Sequence, residues 1–340
     1  MLNRRLRIIV CESRGFSDEA AAFLRRTGDL VLADLDRVGL LAAVEDADVL
    51  WVRLRHAIDA GVIARGAHLR YIVSPTTGLN HIDLAAARRR SIEVLSLRGE
   101  RDFLRNVRAT AEHTVALILA LIRHVPAAVQ HVAAGGWDRD AFRGSELFSK
   151  TAGIVGFGRL GQAVARYLAA FEMQILITDP GGEGPLPIPG VRRVPLMALL
   201  READVVTLHA SFSERDRRFF GAPEFAAMKA GAIFVNTARG ELVDEAVLLA
   251  SLQSGRIAGA ALDVLAGEGS TDVADHPLVR YARTRDNLII TPHIGGCTTE
   301  SMHKTEVFLA ARLAELCLSP LGTPERAAAS GADSPGRQPS

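Results

Sequence analysis

The sequence is poor in cysteine, in aromatic residues and in any excess of charge, and each shortage narrows what the chain can be. Its three cysteines in 340 residues, Cys11, Cys297 and Cys317, are scattered and odd in number. They make neither a disulfide framework nor the close pairs of a zinc or redox motif, so no metal site is expected and a reducing cytoplasm fits best. Forty basic residues face 39 acidic ones, a formal charge of +1, too even for a polyanion-binding surface; nucleic acid is not an expected partner. Long apolar runs are also missing. "VALILALI" at 115–122 stops at Arg123, far short of the roughly 20 residues that span a bilayer, so no membrane partner is expected. The opening "RIIV" is too short for a signal peptide and turns polar from Cys11, so export is not expected.

What is present is an ordinary globular balance, 48% apolar and 23% charged, in a chain long enough for two domains. The first hundred residues alternate short apolar runs ("RIIV", "DVLWV", "LRYIVS", "IEVL") with helical patterns at 18–26 and 84–90, the rhythm of a parallel α/β sheet. A helix over 110–125 is apolar on most sides and reads as buried. A second α/β series follows: "TAGIVGFG", a helix over 160–171, "MQILITD", "ADVVTLHA", "GAIFVNTA", "IAGAALDV" and "NLIITPH". The glycine- and proline-rich segment between Asp179 and Val194 reads as a loop without regular structure, and residues 319–340 as a disordered tail.

"GIVGFGRLGQAVARYL" sets Gly156, Gly158 and Gly161 between a strand and a helix. The first glycine permits a tight turn, the second lets the backbone approach a pyrophosphate, and the third lets the helix pack on the strand. Amides at the helix start, Arg159 and Leu160 among them, would then face the phosphates. Asp179 ends the next strand, where a carboxylate accepts ribose hydroxyls and repels a ribose phosphate, which favours NAD over NADP. Three polar residues end later strands: Arg239 after "AIFVNTA", Asp263 after "AGAAL" and His293 after "LIITP". Strand carboxyl ends converge on the ligand crevice of such a sheet. Moving a hydride between an alcohol carbon and nicotinamide needs a base for the hydroxyl proton, which a histidine there can be, and an arginine can hold any neighbouring carboxylate. Arg239 reads as opening the following helix, where a cation is electrostatically disfavoured, so a functional reason is preferred. Glu268 is close enough in sequence to Asp263 to reach the same place and favour the protonated imidazole. His56, His68, His124, His131, His276 and His303 have no such constellation and read as structural or exposed.

These motifs, with "GLNHIDLAAA", "ATAEHTVALILALIR" and "VNTARGELVDEAVLLASLQSGRIAGAALDV", stand in the order found in one family. From about Ile8 to Leu318 the chain closely resembles the D-isomer-specific 2-hydroxyacid dehydrogenases, which include phosphoglycerate dehydrogenases. The resemblance implies two doubly wound parallel-sheet domains, a Rossmann-type NAD domain at 107–292 inserted into a flavodoxin-like substrate domain made of 1–106 and 293–318, with a cleft where they meet. It implies a catalytic set of Arg239, Glu268 and His293. Asp263 would contact the nicotinamide amide, Thr237 and Ala238 would line the cofactor site, and His209, Ala210 and Ser211 would lie along the cofactor's path. The backbone at Thr77 and Gly78 would bind the substrate carboxylate. Arg53, and beside it Arg55, would suit a phosphorylated or phosphonate-bearing substrate. The helix around 110–123 resembles the family's dimer-forming element, so a homodimer is expected. Two departures stand out: Glu268 is followed by Gly269 where the family has proline, and Asn80, His81, Ile82 and Asp83 replace Asp-Asn-Ile-Asp. The expected activity is NAD-dependent interconversion of a D-2-hydroxy acid and its 2-oxo acid. The alternative is a nucleotide-sensing, corepressor-like binding protein.

Overall fold

A computed structural model describes residues 5–179, 182, 186, 188–268 and 273–318. The expected tail at 319–340, part of the glycine-proline loop and Gly269 lie outside them. The chain divides into two compact units, one of residues 1–53, 58–97 and 303–340, the other of 54–57 and 98–302. The divisions at 97/98 and 302/303 differ from the expected 106/107 and 292/293. The later one falls inside the helix Thr299–Leu318, a continuous element that sequence punctuation could not split.

The first unit has strands β1 (Leu6–Val10), β2 (Gly28–Leu32), β3 (Val49–Trp51), β4 (Tyr71–Ser74) and β5 (Glu93–Ser96), all parallel, in the order β2-β1-β3-β4-β5. This is the doubly wound order of flavodoxin-like sheets. Its helices start on side-chain caps: Ser17, Asp59 and Asp83 each accept a backbone N–H of the first turn.

The second unit carries β6 (Thr151–Val155), β7 (Gln174–Thr178), β8 (Val191–Arg193), β9 (Val205–Leu208), β10 (Ile233–Asn236), β11 (Gly259–Leu262) and β12 (Leu288–Ile290). They form a parallel sheet in the order β12-β11-β10-β9-β6-β7-β8, a Rossmann order extended by one strand. Strands buried on both faces supply two cores. Phe234, Val206, Leu208 and Ala260 pack with Phe220 and Phe225 on one side; Ile233, Val235, Val205 and Ala261 pack with Leu117, Ile118 and Val164 on the other. Period-two alternation sorts neighbouring residues to opposite faces.

Three expectations change. β8 lies inside the segment expected to be loop; as a three-residue edge strand with Arg192 and Arg193 exposed, it has no apolar run to announce it. β2 is likewise an exposed edge strand. The helix expected over 110–125 ends at Ile122, and a second, Val125–Ala133, begins after His124, which sits at φ +53. Among the described residues no single helix is long and apolar enough to cross a membrane.

Candidate active site

In the seven-stranded sheet the order reverses beside β6, between it and β9, where open α/β sheets hold their ligands. The glycine turn follows β6 at this point. Gly156 has φ +93, and a side chain there would fall 2.7 Å from the Ala210 nitrogen and the His209 carbonyl carbon. A side chain on Gly161 would fall 2.1 Å from the Gly156 oxygen, whereas one on Gly158 would meet nothing within 4 Å. Two glycines thus close the turn and pack the helix, and the third leaves open space at the start of the helix Arg159–Ala170, whose N-cap has no side-chain hydrogen bond. The arrangement fits a dinucleotide pyrophosphate, with the amides following Gly158, Leu160 included, available to it.

The residues around that turn are placed as follows. Arg159 turns its guanidinium to the carbonyls of Leu104 (3.2 Å) and Val107 (2.8 Å). Asp179 directly follows β7. Thr237 shares a buried hydrogen bond with Thr114 (2.9 Å). Ala238 donates its N–H to the Asn236 side chain (2.9 Å), which in turn donates to the Arg239 carbonyl (2.8 Å). His209 Nε2 bonds to Thr207 Oγ1 (3.0 Å), while its buried Nδ1 has no partner, a polar atom left for a ligand.

Burial pulls the His209 imidazole from 6.5 down to about 3. Below about 6.5 the unfolded chain takes up a proton that the folded one refuses. Stability is therefore complete above that pH and falls as pH drops toward 3, by up to about tenfold in the folding constant per unit. His209→Gln should flatten the fall of melting temperature with pH across that window; an unchanged slope would exclude this ring as its source.

His293, Glu268, Asp263 and Arg239 come together at the carboxyl ends of β10, β11 and β12. His293 Nδ1 hydrogen-bonds to Glu268 Oε1. His293 stands at φ +54, uncommon for a residue with a side chain, and Asp263 holds it there. The His293 N–H donates to the Asp263 carbonyl (2.8 Å), and the Asp263 carboxylate accepts the N–H groups of Ile294 (2.8 Å) and Gly295 (2.7 Å). A side chain on Gly295 would fall 2.8 Å from that carboxylate, which is why glycine stands there. Burial pushes the Asp263 carboxyl up, but hydrogen bonds from His113, Thr291, Ile294 and Gly295 outweigh it and hold the group below the usual carboxylate range. Burial lowers the pKa of Arg239, opposed by the charges of Glu268 and Glu241. A cavity of about 790 Å³ opens here, lined by Asp263, Leu265, Glu268, Pro292 and His293, with Arg55 also on its wall.

Arg239 does not begin an α-helix: a 3-10 turn, Gly240–Leu242, follows it, and the helix Glu245–Gln253 starts later, capped by Asp244. Arg239 therefore does not occupy a disfavoured helix terminus, although it does lie within electrostatic reach of Glu268. In the first unit, Thr77 and Gly78 follow β4 in a turn closed by Thr76 Oγ1 donating to the Gly78 carbonyl (2.7 Å). The Arg53 guanidinium donates to Glu306 and to the Arg14 carbonyl (2.8 Å).

Sequence reading misses His113, Thr291 and Asn236. His113 Nε2 lies 3.1 Å from Thr291 Oγ1 and 3.3 Å from Asp263 Oδ1. Thr291 and Asn236 could have been found by the strand-end rule that gave Arg239 and His293; His113 comes from a distant helix and has no such signal.

The model of the D-isomer specific 2-hydroxyacid dehydrogenase NAD binding domain matches residues 115–295. Over 309 residues the chain is 36% identical to D-3-phosphoglycerate dehydrogenase of Archaeoglobus fulgidus, covering 90% of this chain and 56% of that one. It is 35% identical over 280 residues to hydroxypyruvate reductase of Thermotoga maritima, covering 82% and 88%. The crystal structure of the TT0316 protein from Thermus thermophilus superposes with a TM-score of 0.78 at 34% identity, covering 92% of this chain and 97% of that one. The chain spans about half the length of the phosphoglycerate dehydrogenases it matches. These relatives give no support to the corepressor-like alternative. Family model, sequence relatives and fold agree, and the chain belongs to the D-isomer specific 2-hydroxyacid dehydrogenase family.

Proposed function

We propose that this protein is an NAD-dependent oxidoreductase that interconverts a D-2-hydroxy acid and its 2-oxo acid. The observation that carries this reading is the His293–Glu268 hydrogen bond at the strand ends that also bear Arg239 and Asp263. Bound NAD supplies the hydride acceptor at C4 of its nicotinamide. With Nδ1 engaged by Glu268, Nε2 is the imidazole nitrogen that exchanges the proton with the substrate oxygen. Arg239 holds the carboxylate and faces the charge that develops on the carbonyl oxygen. Asp263 positions the His293 turn, and its carboxylate would contact the nicotinamide amide of a bound NAD. Gly156, Gly158, Arg159, Leu160 and Gly161 hold the pyrophosphate segment, and His209, Ala210, Thr237 and Ala238 line the cofactor's path. Asp179 repels a 2′-phosphate and selects NAD over NADP. Thr77 and Gly78 bind the substrate carboxylate through their backbone. The unit that carries the glycine turn is the NAD domain, and the five-stranded unit is the substrate domain.

The finer substrate reading is a phosphorylated or phosphonate-bearing acid held at Arg53, where the anion has to share the guanidinium with Glu306. The experiment is an NADH- and NADPH-oxidation screen against glyoxylate, hydroxypyruvate, 3-phosphohydroxypyruvate and phosphonopyruvate. Turnover with NADH on at least one, and weaker use of NADPH, is expected. Binding of NADH without turnover on all four would overturn the enzymatic reading, and preference for NADPH would overturn the role given to Asp179.

The reading extends to a cytoplasmic homodimer. Cys11, Cys297 and Cys317 are free thiols, in keeping with a reducing compartment. Val129, Val132 and Trp137 are 62%, 51% and 88% exposed, an apolar set next to the helix Ala109–Ile122 that suits coverage by a second copy.

A further inference from the structure

Glu268 is followed in sequence by Gly269, a residue with no side chain to restrain the backbone, which raises the question of what holds the glutamate in place. Apart from its bond to His293, its contacts are local: its N–H donates to the Leu265 carbonyl (3.3 Å), and its Oε2 accepts the Leu265 N–H (3.3 Å). The firmer anchor lies one step away. Glu245, the first residue of the helix Glu245–Gln253, accepts the Ala266 N–H on Oε1 (2.8 Å) and meets His276 Nε2 with Oε2 (3.1 Å). Ala266 lies two residues before Glu268, and His276 caps the helix Pro277–Ala282 that follows the segment. Both side chains are withdrawn from solvent, at 15% and 12% exposure.

The hydrogen-bond directions fix the chemistry. His276 Nδ1 accepts the Leu278 N–H (3.3 Å), so Nε2 carries the ring hydrogen and donates. Two donors, Ala266 N–H and His276 Nε2–H, thus converge on one side chain. A carboxylate with two acceptor oxygens satisfies both, and an amide satisfies only one. Against the same backbone lies Gly240, next to Arg239: a side chain on it would fall 2.1 Å from the Ala266 nitrogen. Ala266 is therefore fixed from two directions, by the arginine-bearing turn and by Glu245. Glu241 is the remaining charged group that acts on Glu245.

We propose that Glu245 and His276 are positioning residues for the reaction, a half-buried pair that fixes Ala266 and thereby sets where Glu268 stands against His293. The inference rests on the catalytic reading of Glu268 and His293 given above. Glu245→Gln keeps the size of the side chain and breaks one of the two bonds. It should lower kcat roughly ten- to a hundredfold, the scale of a small misplacement in an active site, with the NADH KM within about twofold of wild type. Because the effect runs through Glu268, it should vanish in a Glu268→Gln background, whereas independent sites add. Replacing the donor ring as well, in Glu245→Gln/His276→Gln, removes the clash of two donors and should restore part of kcat.

The proposal is overturned if Glu245→Gln leaves kcat unchanged, or if it costs as much beside Glu268→Gln as in the wild type. Should Glu245→Gln not fold, His276→Gln in the same two backgrounds decides by the same criterion. If Glu268→Gln alone leaves kcat at the wild-type level, the catalytic reading fails, and this proposal with it. That result is distinct from additivity, which sinks the positioning role only.

Discussion

His293→Ala is expected to lower kcat by about two to four orders of magnitude, the usual worth of general acid–base assistance, while the affinity for NADH stays within a few-fold of wild type. The separation follows from geometry. The side chain leaves the main-chain fold of its turn to Asp263, which accepts the His293, Ile294 and Gly295 N–H groups through its carbonyl and carboxylate oxygens. The turn therefore survives loss of the imidazole, and the glycine turn after β6 is built from other residues. What is lost is the partner of Glu268 and, on the proposed mechanism, the group that exchanges the proton. Single-turnover reduction of a 2-oxo acid, measured beside NADH binding by fluorescence, reads the two effects separately. Turnover above about a tenth of wild type would end the assignment of His293 as the proton-transfer residue.

Arg239→Ala is expected to act on both KM and kcat. Removing one member of a buried, hydrogen-bonded charge pair costs about 2–5 kcal/mol, which is roughly thirtyfold to several thousandfold in kcat/KM. The pair in question is the one Arg239 would form with the substrate carboxylate on the proposed mechanism, and two features prepare the guanidinium for it. Burial lowers its pKa against the pull of Glu268 and Glu241, so the cation is held in a poorly solvated place by carboxylates around it. Its Nη1 also donates to the Ala238 carbonyl at 2.5 Å, which directs the fork of the guanidinium. Arg239→Lys keeps the charge and loses the planar fork, so it should recover only part of the loss. Full recovery by lysine in steady-state assays would mean that a point charge is sufficient and that two-pronged recognition of the carboxylate is not used.

Much of this architecture is legible along the chain because it is written in local periods. Continuous apolar runs ending in a polar residue marked β7, β9, β10, β11 and β12, and the glycine spacing after β6 marked that strand and its turn. Two edge strands escaped that reading. β8 is three residues long with Arg192 and Arg193 exposed and carries no apolar run; β2 has the short run Leu30 to Ala33, but most of the strand faces solvent and it follows the preceding helix directly. The paired positions were legible only in part. Arg239, Asp263 and His293 each follow a strand, and that neighbourhood is a local fact; the bond between Glu268 and His293 is not. Arg239 does not open the helix, because a 3-10 turn separates the two, a distinction of hydrogen-bond pattern that residue types do not record.

By itself the sequence determined the two α/β series, the position of the glycine turn and which polar residues end the strands, since each depends on residues within a few positions of one another. Only the tertiary structure decided which distant polar groups satisfy each other. His113 meets Thr291 across 178 positions, Arg53 meets Glu306 across 253, and Glu245 meets His276 across 31. Such pairs arise because a buried donor or acceptor must find a partner wherever folding has left one. Any of several acidic or basic residues could have served, so neither residue of a pair announces the other.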